Sequence, residues 1–182
     1  MASEEVVESF NSWDWNLVSN AMHSIGTQLN ARTWRMLKGE VISKAIEKAS
    51  NYEAQYVDEE GYDFVWRGLR VELKSEQKMF KKETTADIQL KNTRGQQQVF
   101  KKTFDILLLV QSKAPFMAAV VEWELVNKHH RPDGDQIKAK IPLEDIEMVH
   151  EGEFIDRSGI EGADLVGQFN SAIDRWLEEI KI

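Results

Sequence analysis

The chain has no cysteine. That excludes disulfide frameworks, thiol nucleophiles, cysteine-ligated zinc and iron–sulfur clusters, and it fits a cytoplasmic protein. Proline is scarce, at 3 residues, and glycine modest, at 10, so no low-complexity linker is expected. No internal repeat is visible. Long apolar runs are missing as well. The longest strongly apolar run, Ile106 to Val110, is far too short to cross a bilayer. Met1 to Ser12 is acidic and lacks an apolar core segment, so neither a signal peptide nor a membrane partner is expected.

What is present fits one domain over residues 1–182. Hydrophobic residues make up 42% and charged residues 30%, the profile of a globular protein that buries a core. The net charge is −8, with pI near 5.1. Taken as a whole, that acidity argues against a nucleic-acid partner. The average hides two unlike parts. From Arg67 to Lys113 there are 11 basic and 5 acidic residues, so this segment is +6 and the rest of the chain −14.

Hydrophobic spacing places the elements. Ser12 can cap a helix to about Ser24, with Trp13, Leu17, Ala21 and Met22 on one side and Gly26 as its stop. A longer helix, about Asn30 to Ser50, has Trp34, Leu37, Val41, Ala45, Ile46 and Ala49 as its apolar face, with Glu40 beside it. Strands are expected at Ala54–Val57, Tyr62–Trp66 and Leu69–Ser75, the last two joined at Arg67-Gly68. A short strand at Ile88–Leu90 precedes a turn at Asn92–Gly95. Phe104–Val110 and Phe116–Val126 should form an antiparallel hairpin through Ser112–Pro115. Gln136–Ile141 is another strand, and a last helix runs from about Gly162 to Ile180. Together these elements predict an α/β domain, a central mixed sheet flanked by helices.

One constellation carries chemistry. In the strand Leu69–Ser75, residues alternate between faces, so Glu72 and Lys74 point one way, about 6–7 Å apart, and Val71 and Leu73 the other. With the turn at Arg67-Gly68, residue 63 falls opposite roughly residue 72, which sets Asp63 beside Glu72. Two carboxylates can hold Mg²⁺, which takes few protein oxygens and keeps waters and a substrate phosphate as its other ligands. A neighbouring lysine can orient or help deprotonate a water, or stabilise developing charge.

Asp63 followed by Glu72-Leu73-Lys74 resembles the PD-(D/E)xK nuclease motif, with Tyr62 where that motif has proline. A helix bearing Glu40 precedes it, and the helix–hairpin–strand arrangement over about residues 30–126 looks like the restriction-endonuclease fold. The resemblance implies a Mg²⁺-dependent endonuclease acting on double-stranded DNA, most simply a small type II restriction enzyme. Asp63 and Glu72 would be metal ligands, Lys74 catalytic, and Glu40 a further member of the site. Cutting both strands of a palindrome implies a two-fold homodimer. A junction resolvase or repair nickase of the same fold is an alternative, and so is a non-catalytic binding protein in which Arg70, Glu72 and Lys74 are the wet face of a strand.

The basic segment beside the motif supports a DNA partner. Lys78, Lys81, Lys82, Lys91 and Arg94 suit phosphates. Gln89, Asn92, Arg94 and Gln96 are of the types that read adenine and guanine edges. Glu76-Gln77-Lys78 offers a shifted register of the acid-x-lysine triplet, but the apolar alternation that flanks Glu72 has failed there. His129-His130 is read as part of a surface loop, because Arg131-Pro132-Asp133-Gly134 has turn chemistry. Glu122 and Glu124 are read as the exposed side of a strand whose other face carries Val121 and Trp123.

Overall fold

The computed structural model describes residues 3–29, 31–76, 79–81, 85–92, 100–111 and 116–152. Three helices lead the chain: α1 (Glu4–Asn11), α2 (Trp15–Gln28) and α3 (Ala31–Ala49). The first was not expected. Ser3 caps it by accepting a hydrogen bond from the Val6 N–H, and Val6 and Phe10 bury its inner side. Ser12 is therefore the C-cap of α1, and Asp14 caps α2 through the Leu17 N–H. Both capping residues lie in one short stretch, which is why the boundary was misplaced.

Strands β1 (Ala54–Glu59), β2 (Tyr62–Trp66) and β3 (Leu69–Glu76) follow, then β4 (Phe80–Lys81), β5 (Thr85–Asn92), β6 (Ile106–Gln111) and β7 (Met117–Glu122). A short helix, α4 (Trp123–His129), leads to β8 (His130–Asp133), β9 (Gln136–Pro142), a 3₁₀ turn over Leu143–Asp145, and β10 (Glu147–Glu151). Six strands form a mixed sheet in the order β1-β2-β3-β6-β7-β10. The remaining four form an antiparallel sheet in the order β4-β5-β9-β8. Strand β3 runs parallel to β6, and the other pairs of the large sheet are antiparallel. An α/β protein with a mixed sheet matches the expectation; a second sheet does not.

That second sheet explains the uninterrupted apolar run of β6. Ile106, Leu108 and Val110 face a core shared with α1, α2 and α3, whereas Leu107 and Leu109 face a core shared with β5, β9 and α4. A strand covered on both sides loses the apolar–polar alternation that marks a half-wet strand. The same double burial misled the reading of Phe116–Val126. The strand stops at Glu122, and residues from Trp123 onward are helical, with Trp123 and Val126 buried one turn apart. The expected turn at Arg131–Gly134 is instead strand β8, with Gly134 at φ +59° in the turn that follows. Pro132 is tolerated because β8 is an edge strand. The expected last helix at 162–180, the Ser112–Pro115 connection and residues 93–95 of the predicted turn lie outside the described residues. No helix among the described residues is long and apolar enough to cross a membrane.

Candidate active site

The β2–β3 hairpin positions the proposed site. Its turn is at Arg67-Gly68, as expected, with φ of +50° and +79°. Positive φ at both central residues is the type I′ geometry that matches strand twist. Glycine accepts that backbone freely. Arg67 is held there by a Glu53 carboxylate 3.2 Å away and by its guanidinium 4.9 Å from the Trp66 ring centre.

The strand register is Phe64↔Val71, Val65↔Arg70 and Trp66↔Leu69. One step further would pair Asp63 with Glu72, as the sequence arithmetic required. The ladder ends before that step, and the Asp63 carboxylate takes over. Its Oδ2 accepts a hydrogen bond from the Leu73 N–H at 2.7 Å. Phe64, Trp66, Val71 and Leu73 point into the helix-side core. By alternation Asp63, Glu72 and Lys74 share the opposite face. Lys74 Nζ lies 2.5 Å from Glu72 Oε1, and their side chains are 27% and 13% exposed. At that depth the ion pair is shielded from solvent more than a surface pair would be.

The structure thus brings Asp63, Glu72 and Lys74 together and leaves Glu40 out. Glu40 lies on α3, against the other face of the sheet, and its Oε2 accepts a hydrogen bond from the Tyr56 hydroxyl at 3.0 Å. From α3, Lys38 reaches the end of β3, where its Nζ donates to the Ser75 carbonyl at 3.1 Å. Burial pushes its pKa below the usual lysine value, opposed by the charge of Glu76.

Part of the basic segment is spent on the fold. Arg70 makes a two-point pair with Asp105 through Nε and Nη2, both at 3.1 Å, and Lys102 approaches the same carboxylate at 3.4 Å. Of the DNA-contact candidates, Gln89 is exposed on β5, Lys81 is on β4, and Lys91 and Asn92 end β5. Lys78, Lys82, Arg94 and Gln96 lie outside the described residues. His129 and His130 do not converge. His129 Nε2 is 3.9 Å from Asp145, whereas His130 Nδ1 is 2.6 Å from the Asn127 carbonyl and its ring lies against Phe100. Glu122 and Glu124 also part. The first accepts from the Ser3 N–H, and the second lies near Lys102.

A polar cleft of about 250 Å³ was not anticipated. It is lined by Glu76 and by the outer side chains of β5, β8 and β9, among them Gln89, Arg131, Lys138 and Lys140. Its signal was legible: Lys138 and Lys140 alternate with the buried Ile137, Ala139 and Ile141.

Among the described residues, no three histidine, aspartate or glutamate side chains come together as a metal cluster. No protein-family model, curated protein or solved structure matches the chain.

Proposed function

We propose that the protein is a Mg²⁺-dependent endonuclease of the PD-(D/E)xK type that hydrolyses phosphodiester bonds of double-stranded DNA, with a restriction-endonuclease-like fold and a homodimeric, site-specific mode of cutting. The observation that carries this reading is the grouping of Asp63, Glu72 and Lys74 on one sheet face where β2 leaves β3. The β1-β2-β3-β6 order, with β3 parallel to β6 and α3 packed on the sheet, supports the fold assignment.

The donors present fit magnesium. Two carboxylates face the same side, and each has two oxygens. In an extended strand a residue's N–H and C=O point to the same edge, so the Leu73 carbonyl lies on the edge where its N–H meets Asp63. Two carboxylates and a carbonyl, completed by water and phosphate, are a magnesium-type set; a closed zinc site would need more protein side chains. Bound there, the ion would lower the pKa of a water and neutralise charge on the phosphate. Asp63 and Glu72 would hold the ion. Lys74, paired with Glu72, would orient the attacking water and stabilise charge on the pentacoordinate phosphorus.

Plasmid DNA incubated with protein and Mg²⁺ tests this. Wild type should cut, EDTA should stop it, and Lys74→Ala or Glu72→Gln should slow it by about 100-fold or more. Failure of wild type to cut any DNA with Mg²⁺ or Mn²⁺, or undiminished cutting by both variants, removes the assignment.

A further inference from the structure

We propose that the outer face of the β8–β9 ribbon, together with Gln89 of β5, reads base edges in the major groove of the duplex; this rests on the nuclease reading above. The β8–β9 pair ends the second sheet, and its register sets Arg131 opposite Lys138. On the other side of β9, Gln89 pairs with Lys138 and Asp87 with Lys140. Ile137, Ala139 and Ile141 are buried, so these polar side chains share the opposite face. β8 is the free edge of this sheet, and the β8–β9 edge, two strands wide, is the part that the major groove of B-form DNA admits, with Gln89 of β5 on its flank.

The chemistry of the face favours bases over phosphates alone. A clamp for the backbone alone has no use for carboxylates, which phosphates repel. Here cations, an amide and carboxylates are interleaved. Arginine and lysine match the O6 and N7 acceptors of guanine, glutamine matches the N6 and N7 groups of adenine, and a carboxylate accepts from the cytosine amino group. One lysine is fixed in place, since Lys138 Nζ is 2.7 Å from Asp133 Oδ2. Arg131 and Lys140 are exposed, and Arg131 stands near enough to Asp133 for its charge to add to that of Lys138 in holding this carboxyl below the ordinary range. The cleft they line also includes Glu76, two residues past Lys74 and on the same face of β3. The reading surface therefore adjoins the cutting strand, as a sequence-specific enzyme requires.

Selection from a pool of random duplexes tests the proposal, with Ca²⁺ in place of Mg²⁺. Wild type and Lys74→Ala should enrich the same short sequence. Arg131→Ala/Lys140→Ala, checked for an unchanged thermal midpoint, should bind that duplex about tenfold or more weakly and lose the preference. If the double variant selects the same sequence with wild-type affinity, the ribbon is not the reader, while plasmid cutting by wild type would leave the nuclease assignment standing. A wild type that cuts plasmid but enriches no sequence also overturns it. If wild type never cuts, yet enriches a sequence through Arg131 and Lys140, the ribbon assignment holds and the nuclease assignment fails.

Discussion

The Asp63 carboxylate accepts the Leu73 N–H at 2.7 Å, ten residues along the chain and across the end of a strand pair. In a continued antiparallel ladder that N–H would bond to a backbone carbonyl of β2. The side chain substitutes for the backbone, so β2 can part from β3 without stranding a donor. The same carboxylate is thereby held beside the residue that lies between Glu72 and Lys74. One contact thus ends a ladder and places a functional group.

Under the proposed function, aspartate at this position has two separable roles. Asp63→Asn retains an oxygen that accepts from Leu73, whereas Asp63→Ala leaves that partly buried N–H unpaired. The alanine variant should lose about 1–3 kcal/mol of stability, and the asparagine variant much less. Both should lose DNA cleavage. Urea unfolding beside a plasmid assay separates the two effects, and equal stability of the two variants would refute the structural role.

The Arg70–Asp105 pair ties the start of β3 to the residue before β6. A side-chain hydrogen bond from Arg70 leads the causes that hold the Asp105 carboxyl down to about 2, against an ordinary 3.8. A depressed carboxyl stabilises the folded state above its unfolded pKa and loses that effect as pH falls through its folded pKa. The contribution should be complete above about pH 5 and fade progressively toward pH 2. Allowing for solvent at a guanidinium that is 38% exposed, it amounts to about 1–2 kcal/mol. Asp105→Asn should be less stable by that amount at pH 7, with the gap closing on acidification. A gap that stays constant from pH 7 to pH 2.5 would contradict this assignment.

Gly61 turns the chain from β1 into β2 at φ +93°, and a Cβ there would meet the Thr103 side chain at 2.6 Å. Gly61→Ala combines a disfavoured backbone with a clash and should cost about 2–4 kcal/mol. Thr103→Gly should restore part of the loss by removing the clash, but not the backbone cost. A thermal-unfolding double-mutant cycle reads the split, and strict additivity of the two substitutions would rule out the contact.

The hairpin was legible because its signals are local. Arg67-Gly68 between two short alternating runs specifies turn, register and face together, and Asp63, Glu72 and Lys74 follow from that arithmetic. The separation of Glu40 from the other three was not legible, because its place depends on which sheet face α3 covers, and adjacency in the chain does not show that. The second sheet was only partly legible. Ile88–Leu90 and Gln136–Ile141 have strand character, but their pairing joins segments about fifty residues apart. Trp123–His129 was hidden by composition, since Trp, Leu and Val suit either a buried strand or a short buried helix.

Gln111 ends β6 and is only 5% exposed, yet its amide oxygen accepts from two backbone donors, the N–H groups of Met79 at 3.0 Å and Phe80 at 3.2 Å. Phe80 begins the second sheet and Met79 directly precedes it, so one buried side chain anchors the crossover from β3. Gln111→Leu keeps the approximate volume but leaves the buried Met79 N–H and the partly buried Phe80 N–H unpaired, at a desolvation cost of about 1–3 kcal/mol each, less for the second. The variant should lose about 2–4 kcal/mol in urea unfolding, and amides of β4 and β5 should exchange hydrogen faster than those of β6 and β7. Uniform acceleration across both sheets, or unchanged stability, would show that the crossover is anchored elsewhere.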